Sequence, residues 1–230
     1  MQEFELLSIS HFISFCTCLA AIFMIPKALQ SKPELINSFR YFLIILLIEN
    51  QIRSTYMETL VKGGSLAENL PLHLCDFSAI VIAAFLLTGF RPLFVFAYFW
   101  GIAGAGMSIL TPDSEYAFPH YEYFATMYGH SLILLAVAFS IVNLNQRPFK
   151  SDISKLILYS SLLLVVMYGI NFILGSNYWY LNERPYGENI ISLMPEPPTH
   201  MFILYPVAIF FIYLVYSPYI YLDRRKRRMN

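Results

Sequence analysis

Charge is scarce in this chain. Only 13% of its 230 residues are Asp, Glu, Lys or Arg, against about 25% in a typical soluble domain. With 57% hydrophobic residues and a mean hydropathy of +0.56, an ordinary water-soluble globule is excluded. Cysteine is rare too. The three present, Cys16, Cys18 and Cys75, are odd in number and irregular in spacing, which argues against a disulfide framework. There is no Gly-rich phosphate loop and no Gly-x-Ser-x-Gly elbow. The last hydrophobic run, 201–222, has no lysine, so a retinal Schiff base there is excluded. Tandem repeats and low-complexity segments are also missing.

What the chain does have is long apolar runs. A spanning helix needs about 20 mostly apolar residues. Seven candidates follow, at about 6–29, 39–61, 71–89, 92–111, 121–142, 153–175 and 201–222. The expected fold class is all-α, a polytopic membrane protein with a single seven-helix transmembrane domain over 1–230. Residues 1–5 are too short and too acidic for the basic start of a signal peptide. The 17% aromatic content supplies rings for two interfacial belts.

The basic residues are lopsided. Lys27, Lys32, Arg40, Arg91, Arg147, Lys150 and Lys155 lie at odd-numbered connections, and Arg224, Arg225, Lys226, Arg227 and Arg228 follow the last run. The opposite side has Lys62 and Arg184. The positive-inside rule then puts the N-terminus outside and the tail, 223–230, in the cytoplasm. The tail reads as a stop-transfer anchor, with contact to anionic lipid as the alternative. The expected location is the cell membrane, as a multi-pass protein. Two outer connections, around Pro112, Asp113, Pro119 and His120 and from Asn177 to His200, mix prolines with aromatics. The second includes Trp179, Pro185 and Tyr186, and reads as an ordered cap.

Polar groups inside apolar runs are costly and usually functional. Glu49 and Arg53 are four apart on one helical face and are expected to pair, with Asn50 and Gln51 beside them and Tyr56 continuing the face. They read equally as an interhelical clasp and as contacts to a substrate headgroup. The stretch Pro71-Leu72-His73-Leu74-Cys75-Asp76 opens the third run. His73 and Asp76 share a face, but His73 and Cys75, two apart, do not. A base for Cys75 must therefore come from another helix. The fifth run supplies His130 on a polar stripe with Tyr123 and Thr126. The sixth places Tyr168 and Asn171 on one face.

A thiol is a weak nucleophile until a nearby imidazole takes its proton. Cys75 with His130 as base suits acyl transfer through a thioester. Asp76, Asn171 or a tyrosine are candidates to orient the imidazole. Asn171, Tyr168 and Arg53 are candidates to stabilise the oxyanion. The bland alternative makes Cys75 a small buried hydrophobe. His73, Cys75, Asp76 and His130 could in principle gather around a metal, but no motif indicates one; neither metal nor cofactor is expected. Gly101, Gly104, Ala105 and Gly106 read as marks of close helix packing.

Taken together, Pro71 to Cys75, Leu110-Thr111-Pro112-Asp113, Phe118-Pro119-His120, His130, Asn177-Tyr178 and the Pro-rich stretch before the last run resemble the bacterial YwaF-type membrane proteins. That group is similar to the animal transmembrane protein 164 family. The resemblance implies a phospholipid acyltransferase with an essential cysteine and histidine, which map onto Cys75 and His130. Substrate contacts are expected from Glu49, Arg53, Tyr56, His73, Asp76, Tyr123 and Asn171, and the expected partners are membrane phospholipids. No nucleic acid and no obligatory protein partner are expected. The competing reading is a non-enzymatic binder or transporter of a small amphiphile.

Overall fold

The computed structural model describes residues 3–183 and 194–229, with side chains up to 225. Arg184, Pro185 and Tyr186 lie outside the described residues, as do the side chains of Lys226, Arg227 and Arg228. The described chain is all-α and holds seven helices. These are α1 (Ile9–Leu29), α2 (Pro33–Val61), α3 (Leu74–Thr88), α4 (Arg91–Leu110), α5 (Tyr121–Val142), α6 (Lys150–Leu174) and α7 (Met201–Met229). Six are long and apolar enough to cross a membrane; α3, with 15 residues, is the exception. At about 1.5 Å per residue it is roughly 22 Å long. Helices suit this setting because they satisfy their backbone hydrogen bonds internally.

Local chemistry sets the ends. Ser8 caps α1 by accepting from the His11 amide, and Pro33 starts α2 at a position that needs no N–H donor. The Asp152 carboxylate accepts from the Phe149 amide at 2.7 Å to open α6. Gly175, at φ +65°, ends it in the left-handed conformation that glycine adopts without penalty. Two helices contain wide π turns, Met57–Val61 at the end of α2 and Ala97–Ala105 in the middle of α4. The basic stretch after Leu222 continues α7 as helix to Met229.

The chain divides into two units. The first comprises Met1–Ser54 and Leu74–Arg147. Within it α5 packs against α1, α3 and α4, and α3 packs against α4. Gly101 of α4 permits close approach to α5: a Cβ there would stand 3.0 Å from Ile133 and 3.8 Å from Val137. Gly106 has open space around it and is not a packing glycine. Long-range hydrogen bonds tie the helix ends. Arg40 donates to the carbonyls of Leu86 and Leu87 at the end of α3, and the Asn143 amide donates to Pro26 of α1 at 3.1 Å. Buried His11 bonds the Ile109 carbonyl at 3.2 Å, which a carbonyl can accept only from a protonated Nε2. The segment before α1 joins in, with the Phe4 amide donating to Glu115 at 2.9 Å and its ring against His11 and Tyr123.

The second unit comprises Thr55–His73 and Pro148–Asn230. Its hub is buried Asn171. The Asn171 carbonyl oxygen accepts from the Tyr178 amide at 2.8 Å and the Ser176 hydroxyl at 3.0 Å, and its amide donates to the Tyr178 carbonyl at 2.9 Å. Tyr178, also buried, accepts from the Leu70 amide at its hydroxyl and donates to the Ala67 carbonyl. The Trp179 indole donates to Leu72 at 2.9 Å. Trp179 and Tyr180 are left-handed, at φ +61° and +53°, an unfavourable conformation that these contacts and the His200 bond to the Tyr180 carbonyl hold in place.

Candidate active site

Cys75 sits in the first turn of α3, half-buried. Its sulfur faces the wide-turn stretch of α4. A Cβ added at Gly104 would stand 3.2 Å from it. Ser108 follows four residues on, in the α-helical end of α4. Gly104 and Ser108 are four apart and so lie on one face. Glycine leaves room for the sulfur. Ser108 was not among the residues singled out from the sequence. A serine in an apolar helix ordinarily bonds the carbonyl four residues back, and Ser14, Ser78, Ser140 and Ser161 all do so at 2.7–2.8 Å.

His130 lies on α5, which packs against both α3 and α4. Its Nδ1 is 2.7 Å from the Thr126 carbonyl on the preceding turn. A carbonyl only accepts, so Nδ1 must carry the proton, and Nε2 of the neutral ring is the basic nitrogen. The Thr126 carbonyl therefore holds the imidazole through Nδ1. The helices that carry Cys75 and His130 pack against each other. No hydrogen bond joins sulfur and ring directly.

The other polar residues fall into distinct settings. Arg53 of α2 donates to the Tyr121 hydroxyl and, at 2.5 Å, to Asn50 Oδ1, and pairs with Glu49 at 3.5 Å. Its guanidinium lies 5.5 Å from the Tyr121 ring and 5.8 Å from the Tyr128 ring. The Asn50 amide in turn lies 2.8 Å from where Gly129 would carry a Cβ. These contacts clasp α2 to α5. The pair keeps an open side, with the Glu49 side chain 48% exposed. Tyr123 is buried and turns toward Ser14 and Cys18 of α1; its hydroxyl has no partner in hydrogen-bond geometry. Tyr123 therefore joins Phe4 in the α1 contact.

In the second unit, His73 packs on the rings of Tyr178 and Tyr180 at 5.0 and 5.9 Å. Asn171 is consumed by its loop bonds, and Tyr56 is exposed. Among the described residues, no group of three or more His, Cys, Asp or Glu side chains could hold a metal ion.

Six membrane-length apolar helices, with ionisable side chains bonded to one another inside them, define a multi-pass α-helical membrane protein. The chain belongs to the TMEM164 family, whose profile matches residues 3–216. It is also similar to an uncharacterized protein of Treponema pallidum (strain Nichols), 31% identical over 128 residues. That match takes in 55% of this chain and 53% of the relative, so the chain spans about half the relative's length. No solved structure matches it.

Proposed function

We propose that this protein is an integral membrane acyltransferase that moves the acyl chains of phospholipids through a thioester on Cys75. The observation that carries the reading is the Thr126 carbonyl on His130 Nδ1, because it leaves the basic Nε2 free on a helix that packs against the thiol helix. Nε2 takes the thiol proton, and the sulfur attacks the ester carbonyl. The lysophospholipid leaves with the proton returned by the imidazole, and an acceptor alcohol reverses the sequence. Sulfur and ring close to hydrogen-bond distance when the acyl chain enters, since such bonds are often long before substrate binds.

Glu49 and Arg53 contact the headgroup from their open side. The lysine and arginine bias supports an N-terminus outside and a C-terminus in the cytoplasm. With that orientation Cys75 and His130 lie in the outer half of the cell membrane, open to its outer leaflet.

The test is direct. Purified protein in lipid nanodiscs is incubated with phosphatidylcholine carrying an isotope-labelled acyl chain, and Cys75 is examined by mass spectrometry for a hydroxylamine-sensitive adduct. The wild type should form it and Cys75→Ala should not. A second reading, a binder or transporter of a small amphiphile, is favoured by the missing sulfur–imidazole hydrogen bond. It predicts no adduct and unchanged lipid binding in Cys75→Ser.

A further inference from the structure

Among the described residues, four non-glycine positions have positive φ, and only Trp179 and Tyr180 are consecutive. For bulky side chains the left-handed region is sterically unfavourable. Such strain persists only where the surroundings over-determine it, and it gathers at clamps and switches. Here both ends are pinned. Asn171 holds the Tyr178 amide and carbonyl. Past the strained pair, Asn177 Oδ1 accepts from the Asn182 and Glu183 amides, each at 3.1 Å, and the Asn182 side chain donates to the Ser176 carbonyl at 3.2 Å. Between the pins, the Trp179 indole reaches out to the Leu72 carbonyl at 2.9 Å, and His200 Nε2 donates to the Tyr180 carbonyl at 3.1 Å. Leu72 stands two positions before Leu74, where α3 begins, and three before Cys75.

We infer that Tyr178–Tyr180 is a strained strap that governs access to the Cys75 sulfur, with the Trp179–Leu72 hydrogen bond as its catch. The strain of two left-handed residues is at least as large as the net worth of one neutral hydrogen bond. The catch therefore holds only together with the His200 bond to Tyr180 and the His73 ring, which packs on Tyr178 and Tyr180. When the indole lets go, Trp179 and Tyr180 relax to right-handed backbone, and the Leu72 carbonyl is no longer held. Tyr178 keeps its own bonds to Ala67 and Leu70. The freed stretch is thus short, 71–73, and leads straight into the first turn of α3. Cys75 sits half-buried in that turn, so its sulfur opens as the approach loosens. The strap acts through the chain itself. It goes beyond the acyl-transfer reading and holds equally for a binder.

The experiment uses the full-length protein in lipid nanodiscs. Its readouts are hydrogen exchange of the 72–75 amides and alkylation of Cys75 by iodoacetamide, while exchange in α5 reports global opening. Trp179→Phe keeps an aromatic ring and removes the donor. It should speed both readouts roughly three- to tenfold, the scale of one neutral hydrogen bond, and leave α5 unchanged. Tyr180→Ala and Tyr180→Gly lose the same ring and differ by one methyl group and the backbone freedom it removes at φ +53°. The glycine variant, with its strain relieved, should run roughly fivefold slower than the alanine variant in both readouts. Should Trp179→Phe fail to fold, this comparison decides alone. The strap is overturned if Trp179→Phe moves neither readout, if α5 exchange rises with them, if exchange and alkylation do not move together, or if glycine is no slower than alanine. Absence of an acyl adduct on Cys75 would sink the acyl-transfer reading and leave each of these outcomes intact.

Discussion

The sulfur of Cys75 lies 3.2 Å from the point that a Cβ would take on Gly104. That is tighter than ordinary van der Waals contact, so Gly104→Ala forces the sulfur or α4 to move by a few tenths of an ångström. The expected result is slower alkylation of Cys75 by a neutral reagent, with a stability loss of no more than about 1–3 kcal/mol, the range for a small overpacking. Reaction rate and thermal unfolding midpoint, measured together, check it. An unchanged rate would mean that the sulfur has free room elsewhere.

His130 should be needed for the chemistry and not for the fold. Replacing a general base costs about 10²–10⁴ in rate. His130→Ala should therefore lower thioester formation on Cys75 by that order, and added imidazole should restore part of it. Retention of the full rate in His130→Ala would remove the residue from the mechanism.

Gly129 and Asn50 form a coupled pair. A methyl group at Gly129 would come within 2.8 Å of the Asn50 amide nitrogen, and Asn50 also holds Arg53. Gly129→Ala should destabilise the clasp, and Asn50→Ala should relieve most of the added strain. A double-mutant cycle on unfolding free energy should give a coupling of about 0.5–3 kcal/mol. Additive effects would place the two side chains apart.

Asn171→Leu removes the acceptor for a buried amide and a buried hydroxyl and the donor to a buried carbonyl. Each group left unsatisfied costs about 1–3 kcal/mol. The change should speed hydrogen exchange at the Leu70 amide, which depends on Tyr178. If exchange there stays at the wild-type rate, the network does not transmit through Asn171.

Much of this arrangement was legible from spacing alone. The helical runs followed from apolar length, and the Glu49–Arg53 pair from the four-residue interval. Adjacency of the thiol and imidazole helices followed from asking where a base could come from. Two things were hidden. The third helix begins at Leu74 and not at 71, because the Leu70 amide and the Leu72 carbonyl bond Tyr178 and Trp179, partners that local pattern does not reveal. The Thr126 carbonyl orients His130, and backbone carbonyls have no signature in residue type. Asn171 illustrates the converse: a buried amide on an apolar helix looked like substrate chemistry, yet its bonds anchor a loop.

The bonds from Tyr178 and Trp179 to Ala67, Leu70 and Leu72 join positions 107 to 111 residues apart. A ribosome delivers the earlier positions first. The stretch leading into Cys75 therefore waits through the synthesis of α4, α5 and α6 before its permanent partners exist. A nascent chain arrested after α5 would contain both the sulfur and the imidazole yet lack the anchor of the segment just upstream of the thiol. Assembly order thus makes that approach among the last parts of the molecule to set.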